Sequence, residues 1–346
     1  MTASNANNWK IYRGDGQLPN EVVKIPKAPP WRQFQDDANV DTNVEGEEES
    51  RVLEASAQQL LKGQNFQPPD EAVEMVNAAL SLRRPLLITG NPGTGKSSLA
   101  YAVARELGFG NVLKWSITTR TTLKDGLYNY DAIGRLQDAQ PGQPNNFHET
   151  GKYITLGALG TAFLPSNLPR VLLIDEIDKS DIDLPNDLLN LLEDGEFPIP
   201  ELQRLELSPV DVRTIERDAG NKQNKATVEN GVIRCRAFPL VIMTSNGERD
   251  FPPPFLRRCL RLKMPNPNAK ELQKIVEKHL GESVAQVSEL LIQEFCKRIE
   301  KGGTLATDQL LNIIHIRTQE NDRTDRSKLS DLEERLLKDL SSPEDV

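Results

Sequence analysis

The chain has 346 residues, 37% hydrophobic and 27% charged, enough for two ordinary domains with a buried core. Its net charge of −9 argues against a general grip on nucleic acid, which needs a basic surface, and no apolar run approaches the length that spans a bilayer. The N-terminus lacks the basic-then-apolar layout of a signal peptide, and Cys235, Cys259 and Cys296 are odd in number without metal-ligand spacing, so reduced thiols in a cytoplasm are expected, with no membrane partner.

Residues 1–66 mix Pro26, Pro29 and Pro30 with the acidic run Glu45-Gly46-Glu47-Glu48-Glu49 and read as an irregular N-terminal arm. Trp9, Ile11, Tyr12, Trp31 and Phe34 are out of place in it. Aromatic side chains in a polar arm dock somewhere, on this subunit's own core or on a neighbour's. Pro68-Pro69-Asp70 opens a helix whose Val73, Val76 and Leu80 share a face, with Pro85 as its limit.

Leu86-Leu87-Ile88 is then a strand, and Leu99, Ala100, Val103 and Leu107 mark a helix closed by Gly108. Between them stands Gly90-Asn91-Pro92-Gly93-Thr94-Gly95-Lys96-Ser97. Strand, glycine-rich turn and helix form the context that a phosphate-binding loop requires. The glycines let successive N–H groups point inward at a polyphosphate, and the helix start adds unpaired amides and a positive dipole end. Lys96 supplies a charge for the β- and γ-phosphates, and Ser97 a hydroxyl for magnesium. Ser98 follows in the candidate nucleotide-binding set, and a nucleoside triphosphate with Mg2+ is the expected ligand pair.

Residues 112–117 read as a second strand and 122–137 as a weaker helix containing Gly126 and Gly134. A polar loop around Pro141, Gly142 and Pro144 follows, in which His148 beside Glu149 is expected to be a solvated pair. The stretch from Gly151 to Gly157 has the glycine spacing of a short hairpin. Val171-Leu172-Leu173-Ile174-Asp175-Glu176 is a run buried on both faces, as in a parallel sheet, ending in two carboxylates where such a sheet exposes its ligand edge. Asp175 is placed to hold magnesium, through water or Ser97, and Glu176 to polarise the water that attacks the γ-phosphate. Asp178 and Asp183 fall on the following turn and helix cap and receive no catalytic role.

The next helix carries Leu184, Leu188, Leu191 and Leu192 on one face and stops at Gly195. Residues 202–231 are polar and read as irregular. Leu240-Val241-Ile242-Met243 is a further buried strand, whose trailing Asn246 can orient the same water. After Pro252-Pro253-Pro254 comes Phe255-Leu256-Arg257-Arg258-Cys259. Beyond Pro267 only helices are expected. Leu272, Ile275, Val276 and Leu280 form one, and Val284, Val287, Leu291, Phe295 and Ile299 a second stopped by Gly302-Gly303. Leu310, Ile313 and Ile314 form a third, and a capping box at Ser330 opens a last helix.

Together these residues resemble the AAA+ ATPases, and among them the MoxR-like group, from about Pro68 to Thr318. Residues 90–97 are similar to the Walker A motif, 172–176 to Walker B, and Asn246 to sensor 1. Residues 188–197 resemble the family's post-Walker-B helix, and 121–163 sit where its helix-2 insert lies. The segment 255–259 is similar to the arginine-finger segment, with Arg258 the expected finger and Arg257 its competitor. The resemblance implies an α/β fold, an AAA+ P-loop NTPase αβα parallel-sheet core at 67–266 followed by a small helical lid at 267–320; the N-terminal arm and a charged helix or tail at 321–346 lie outside it. It implies a homo-oligomer, a hexameric ring, with ATP between subunits. Hydrolysis would remodel or activate a partner protein, such as a von Willebrand factor A-type protein.

One place departs from the family pattern. The lid's third helix begins Leu305-Ala306-Thr307-Asp308-Gln309, without the usual sensor 2 arginine. A ring ATPase and a nucleotide-controlled switch or scaffold with slow turnover therefore both stay open. A guanine-specificity reading of Asp178-Lys179-Ser180-Asp181 fails, because that stretch directly follows the carboxylate pair and cannot reach a base.

Overall fold

The computed structural model describes residues 9–34, 55–138, 147–205, 209–217, 221–301 and 305–319. The acidic run at 45–49, the loop around Pro141, the side chain of His148, the stop at Gly302-Gly303 and the helix expected from Ser330 lie outside the described residues. The first half comprises α1 (Ala57–Gln64), α2 (Asp70–Leu82), β1 (Leu86–Thr89), α3 (Lys96–Leu107), β2 (Leu113–Ser116), α4 (Leu123–Leu127), β3 (Tyr128–Tyr130), α5 (Ala132–Asp138), β4 (Ile154–Leu156) and α6 (Ala158–Ala162). Next come β5 (Val171–Asp175), α7 (Leu184–Asp194), β6 (Glu196–Pro198), α8 (Pro200–Gln203), β7 (Val210–Arg217), β8 (Gln223–Val228), β9 (Val232–Arg234), β10 (Leu240–Ser245), α9 (Pro253–Arg258) and β11 (Leu260–Lys263). Helices close the chain: α10 (Ala269–Leu280), α11 (Glu282–Val287), α12 (Glu289–Glu300) and α13 (Thr307–Gln319).

Five strands form one parallel sheet in the order β11-β1-β10-β5-β2. Its three central strands are the continuous apolar runs, buried on both faces because helices cover the two sides of a parallel sheet. The two edge strands alternate instead. β2 turns Lys114 and Ser116 outward and β11 turns out Arg261 and Lys263, charges that keep an open edge from pairing with another chain. Alternate residues of each strand feed two separate cores. Leu87, Leu172, Ile174, Val241 and Met243 face one; Leu86, Ile88, Val171, Leu173 and Ile242 face the other. The fold is thus the expected αβα core with a C-terminal helical unit, which has its own cluster around Leu272, Phe295 and Leu310.

Several local expectations are corrected. Residues 202–231 are not irregular: β7 and β8 form an antiparallel hairpin, and Val-Asp-Val-Arg-Thr-Ile at 210–215 carries the period-2 burial that marks a strand. The helix expected over 122–137 is broken by β3, since Tyr128 is buried and aromatic residues fit a pleated surface better. The stretch 151–157 is no hairpin by itself. A 3-10 turn over Phe147–Tyr153 leads into β4, which pairs with β3. The second lid helix is split at Ser288 into α11 and α12, leaving Val287 88% exposed.

The arm is ordered by its aromatics and by core side chains that bond its backbone. Tyr12 is buried in the core beneath α2 and α3, and Phe34 in the opposite one, stacked on Phe238 at 4.8 Å. Trp9 and Trp31, by contrast, are exposed. The buried Asn77 accepts from the Ile11 and Tyr12 amides at 2.7 and 2.9 Å and donates to the Tyr12 carbonyl at 2.8 Å. Glu106 accepts from the amides of Arg13, Gly14 and Gly16. Arg83 donates to the Pro26 carbonyl, and Arg32 to those of Arg83 and Leu192. Helix α1 also belongs to this largely irregular region.

Candidate functional site

The turn 90–95 joins β1 to α3 through three glycines with positive φ: 153° at Gly90, 74° at Gly93 and 83° at Gly95. Side chains are excluded there by space as well as by conformation. A Cβ at Gly93 would fall 2.6 Å from the Thr307 amide nitrogen, and one at Gly95 would fall 2.4 Å from the Phe66 ring. The loop is therefore clasped between Phe66 on one side and the start of α13 on the other. Gly95 caps α3, so the first amides of that helix open toward the loop, a geometry suited to anions.

Lys96, the first residue of α3, is only 8% exposed. Its ammonium donates to the carbonyls of Gly90 and Asn91 at 2.7 and 2.8 Å and to Asn246 Oδ1 at 2.8 Å. Burial lowers its pKa, opposed by the charges of Asp178, Asp175 and Glu176. The expected γ-phosphate group, Lys96, and the expected water-orienting group, Asn246, are thus in direct contact across two adjacent strand ends.

Asp175 lies at the end of β5. Its Oδ1 accepts the Ser97 hydroxyl at 2.6 Å and the Thr244 hydroxyl at 2.8 Å, and its Oδ2 meets the Lys114 ammonium at 2.6 Å. Burial alone would raise the carboxyl, yet Lys114 and the two hydroxyls outweigh it and hold it below the usual carboxylate range. A hydroxyl and a carboxylate in contact are the hard oxygen donors that magnesium takes, so Ser97 and Asp175 suit that ion. Glu176 follows with φ +62°, a strained value for a residue with a side chain. Thr244 fixes it there by accepting the Glu176 amide at 2.9 Å. The Glu176 carboxylate turns to Lys179, 2.8 Å away, with both side chains about 40% exposed.

Arg257 and Arg258 sit at the end of α9. Arg258 pairs with Glu193 of α7 through both carboxylate oxygens. Arg257 is exposed and has no hydrogen-bonding or ionic partner among the described residues. Neither contacts the loop or Asp175, so the structure brings 90–98, Asp175, Glu176 and Asn246 together and leaves the two arginines apart. On the other side of the loop, a cavity of about 650 Å³ runs between Phe66, Gly93, Ser98, Lys274, His279 and Asp308, a volume suited to a small-molecule ligand. His279 is held below its ordinary value by burial and by Lys278.

Sequence reasoning missed four positions. Thr244 and Lys114 hold Asp175, and Lys179 holds Glu176. Asp178, given no catalytic role, is 3% exposed and accepts the amides of Asn246 and Glu248 at 2.8 and 3.1 Å. The Asp178 signal was available, because an aspartate inside an otherwise buried turn needs donors. Lys114 and Lys179 carried none beyond being lysines. Among the described residues no helix is long and apolar enough to cross a membrane, and no cluster of His, Cys, Asp and Glu forms a separate metal site. A family model described as AAA domain (dynein-related subfamily) matches residues 85–259, just over half of the chain. No curated protein matches it.

Proposed function

Since this chain belongs to the AAA domain family, dynein-related subfamily, we propose that it is a magnesium-dependent ATPase of the MoxR-like type, acting at the subunit interfaces of a homo-oligomeric ring. Its work is to remodel or activate a partner protein, with a von Willebrand factor A-type protein as the first candidate. One observation carries this reading: two strand ends and one helix start deliver Lys96, Ser97, Asp175, Glu176 and Asn246 to a single edge of the sheet, each bonded to another member or its neighbour.

In this reading Lys96 exchanges its contacts with Asn91, Gly90 and Asn246 for phosphate oxygens, which frees the Asn246 amide to orient water. Ser97 and Asp175 hold magnesium, whose charge offsets that of the phosphates. Glu176 releases Lys179 and takes the proton of the attacking water. The nucleoside occupies the cavity between Phe66 and the lid, and Arg258, or Arg257 beside it, serves the neighbouring subunit's site. A slow nucleotide-controlled switch is the second reading. It is favoured by the Thr307 and Asp308 start of α13, where among the described residues no arginine reaches the phosphate loop.

Steady-state ATP turnover measured against protein concentration separates the two. A ring ATPase gains specific activity as subunits assemble, whereas a switch stays slow throughout. Glu176→Gln should keep ATP affinity and lose roughly 10²–10⁴-fold in turnover. Turnover at the parent rate would remove Glu176 from the role of base.

A further inference from the structure

Beyond its contact with Asp175, Lys114 has no part in the proposed chemistry. It lies on the edge strand β2, whose alternation turns its side chain outward, 43% exposed. The register sets Lys114 opposite Leu173 and Ser116 opposite Asp175 on β5, so the lysine stem reaches along the edge to the strand end. There its ammonium rests 2.6 Å from Asp175 Oδ2. The other oxygen, Oδ1, is already held by two neutral hydroxyls, those of Ser97 and Thr244. Those two contacts orient the carboxylate without help. Among the described residues Lys114 is the one cation paired with Asp175.

We propose that Lys114 is an internal stand-in for the metal's charge: it occupies Asp175 Oδ2 when no metal is bound, competes with Mg2+ for that oxygen, and so sets how much Mg2+ the nucleotide site requires. This rests on the reading of Ser97 and Asp175 as the magnesium locus. An ammonium in contact with the oxygen repels an incoming divalent ion, hydrated or bare, and at a partly shielded site that repulsion is substantial. The lysine can yield, since it is flexible and half-exposed with water to receive it. A second consequence follows when metal is absent. The same ammonium partly neutralises the acidic site, so nucleotide binding is less metal-dependent than a bare aspartate would make it.

The measurable quantity is the coupling between metal and nucleotide, taken as the ratio of ATP dissociation constants in EDTA and in saturating Mg2+. Isothermal titration of the full chain gives both values without hydrolysis being read. Lys114→Met should raise this ratio roughly tenfold, the worth of removing one nearby unit charge at a half-exposed site. Lys114→Arg, which keeps the charge, should leave it near the parent value. A ratio in Lys114→Met that is unchanged or reduced, with the melting temperature preserved, would show that the lysine only props Asp175 and would overturn the proposal. Failure of the parent chain to bind ATP in either medium would instead overturn the nucleotide reading, and this proposal with it.

Discussion

The N-terminal arm and the phosphate-loop edge are both irregular backbone held by polar side chains, yet they are held in opposite ways. In the arm, Asn77 and Glu106 bond backbone groups of residues 11–16. Asn77 is fully buried and uses both its oxygen and its nitrogen, so nothing in solution can compete for them. At the loop edge two contacts run between side chains that are partly exposed: Lys114 with Asp175 and Lys179 with Glu176. Each of these pairs satisfies its members in a way that an incoming phosphate, cation or water could replace. A hydrogen bond to buried backbone serves architecture, whereas a bond between accessible side chains is exchangeable. Solvent access, rather than polarity, separates the two.

That contrast can be broken from either side. The largest effect is expected at the exchangeable edge. Lys96→Ala should abolish ATP binding, because the loop loses its cation, and unchanged affinity in a titration would refute the loop assignment. Next comes Arg258→Ala, expected to bind ATP normally and to hydrolyse it about 10³–10⁵-fold more slowly if its guanidinium serves a neighbour's site. Mixing it with Lys96→Ala subunits should restore part of the activity. Mixed rings without rescue would move the trans role away from Arg258, with Arg257→Ala as the companion experiment.

On the architectural side, Asn77→Ala should cost roughly 2–4 kcal/mol of stability, since it strands the buried Tyr12 amide and carbonyl and the partly buried Ile11 amide. Chemical denaturation would report that loss. The variant should still bind ATP with parent affinity, and a large fall in affinity would show that arm and loop are not separable. The smallest effect is expected at the lid. Asp308→Ala should alter turnover only mildly, and a loss of several orders of magnitude would reveal an unusual γ-phosphate contact at the start of α13.

The buried parts of this fold were the legible ones. Continuous apolar runs at β1, β5 and β10 announced a two-faced sheet, and the residues trailing them, from Gly90 to Ser97 and at Asp175, Glu176 and Asn246, fell at its edge as expected. Where reading failed, the deciding contacts were remote in sequence. Tyr128 becomes a strand residue because β4 is there to receive it. The alternation of β7 is masked by the charged residues set between its apolar ones. Lys114 and Lys179 became part of the site only through carboxylates that other segments bring to them. The arm's aromatics were expected to dock, but Asn77 and Glu106, which decide where it does so, look like ordinary helix residues in the sequence.

The arm also has a history within each round of synthesis. Tyr12 is made 65 residues before the Asn77 amide that seats it, Arg13 is made 93 before Glu106, and Arg32 is made 160 before the Leu192 carbonyl it binds. Phe34 must wait longer still, for Phe238. The arm is made before its seats and is therefore among the last segments to find its place, because those seats lie on both faces of a sheet that is complete only with β10 and β11. Contacts so distant in sequence form late, and until then the aromatic rings of Tyr12 and Phe34 are uncovered. A nascent chain of this protein offers a chaperone two sticky handles that the folded chain has withdrawn.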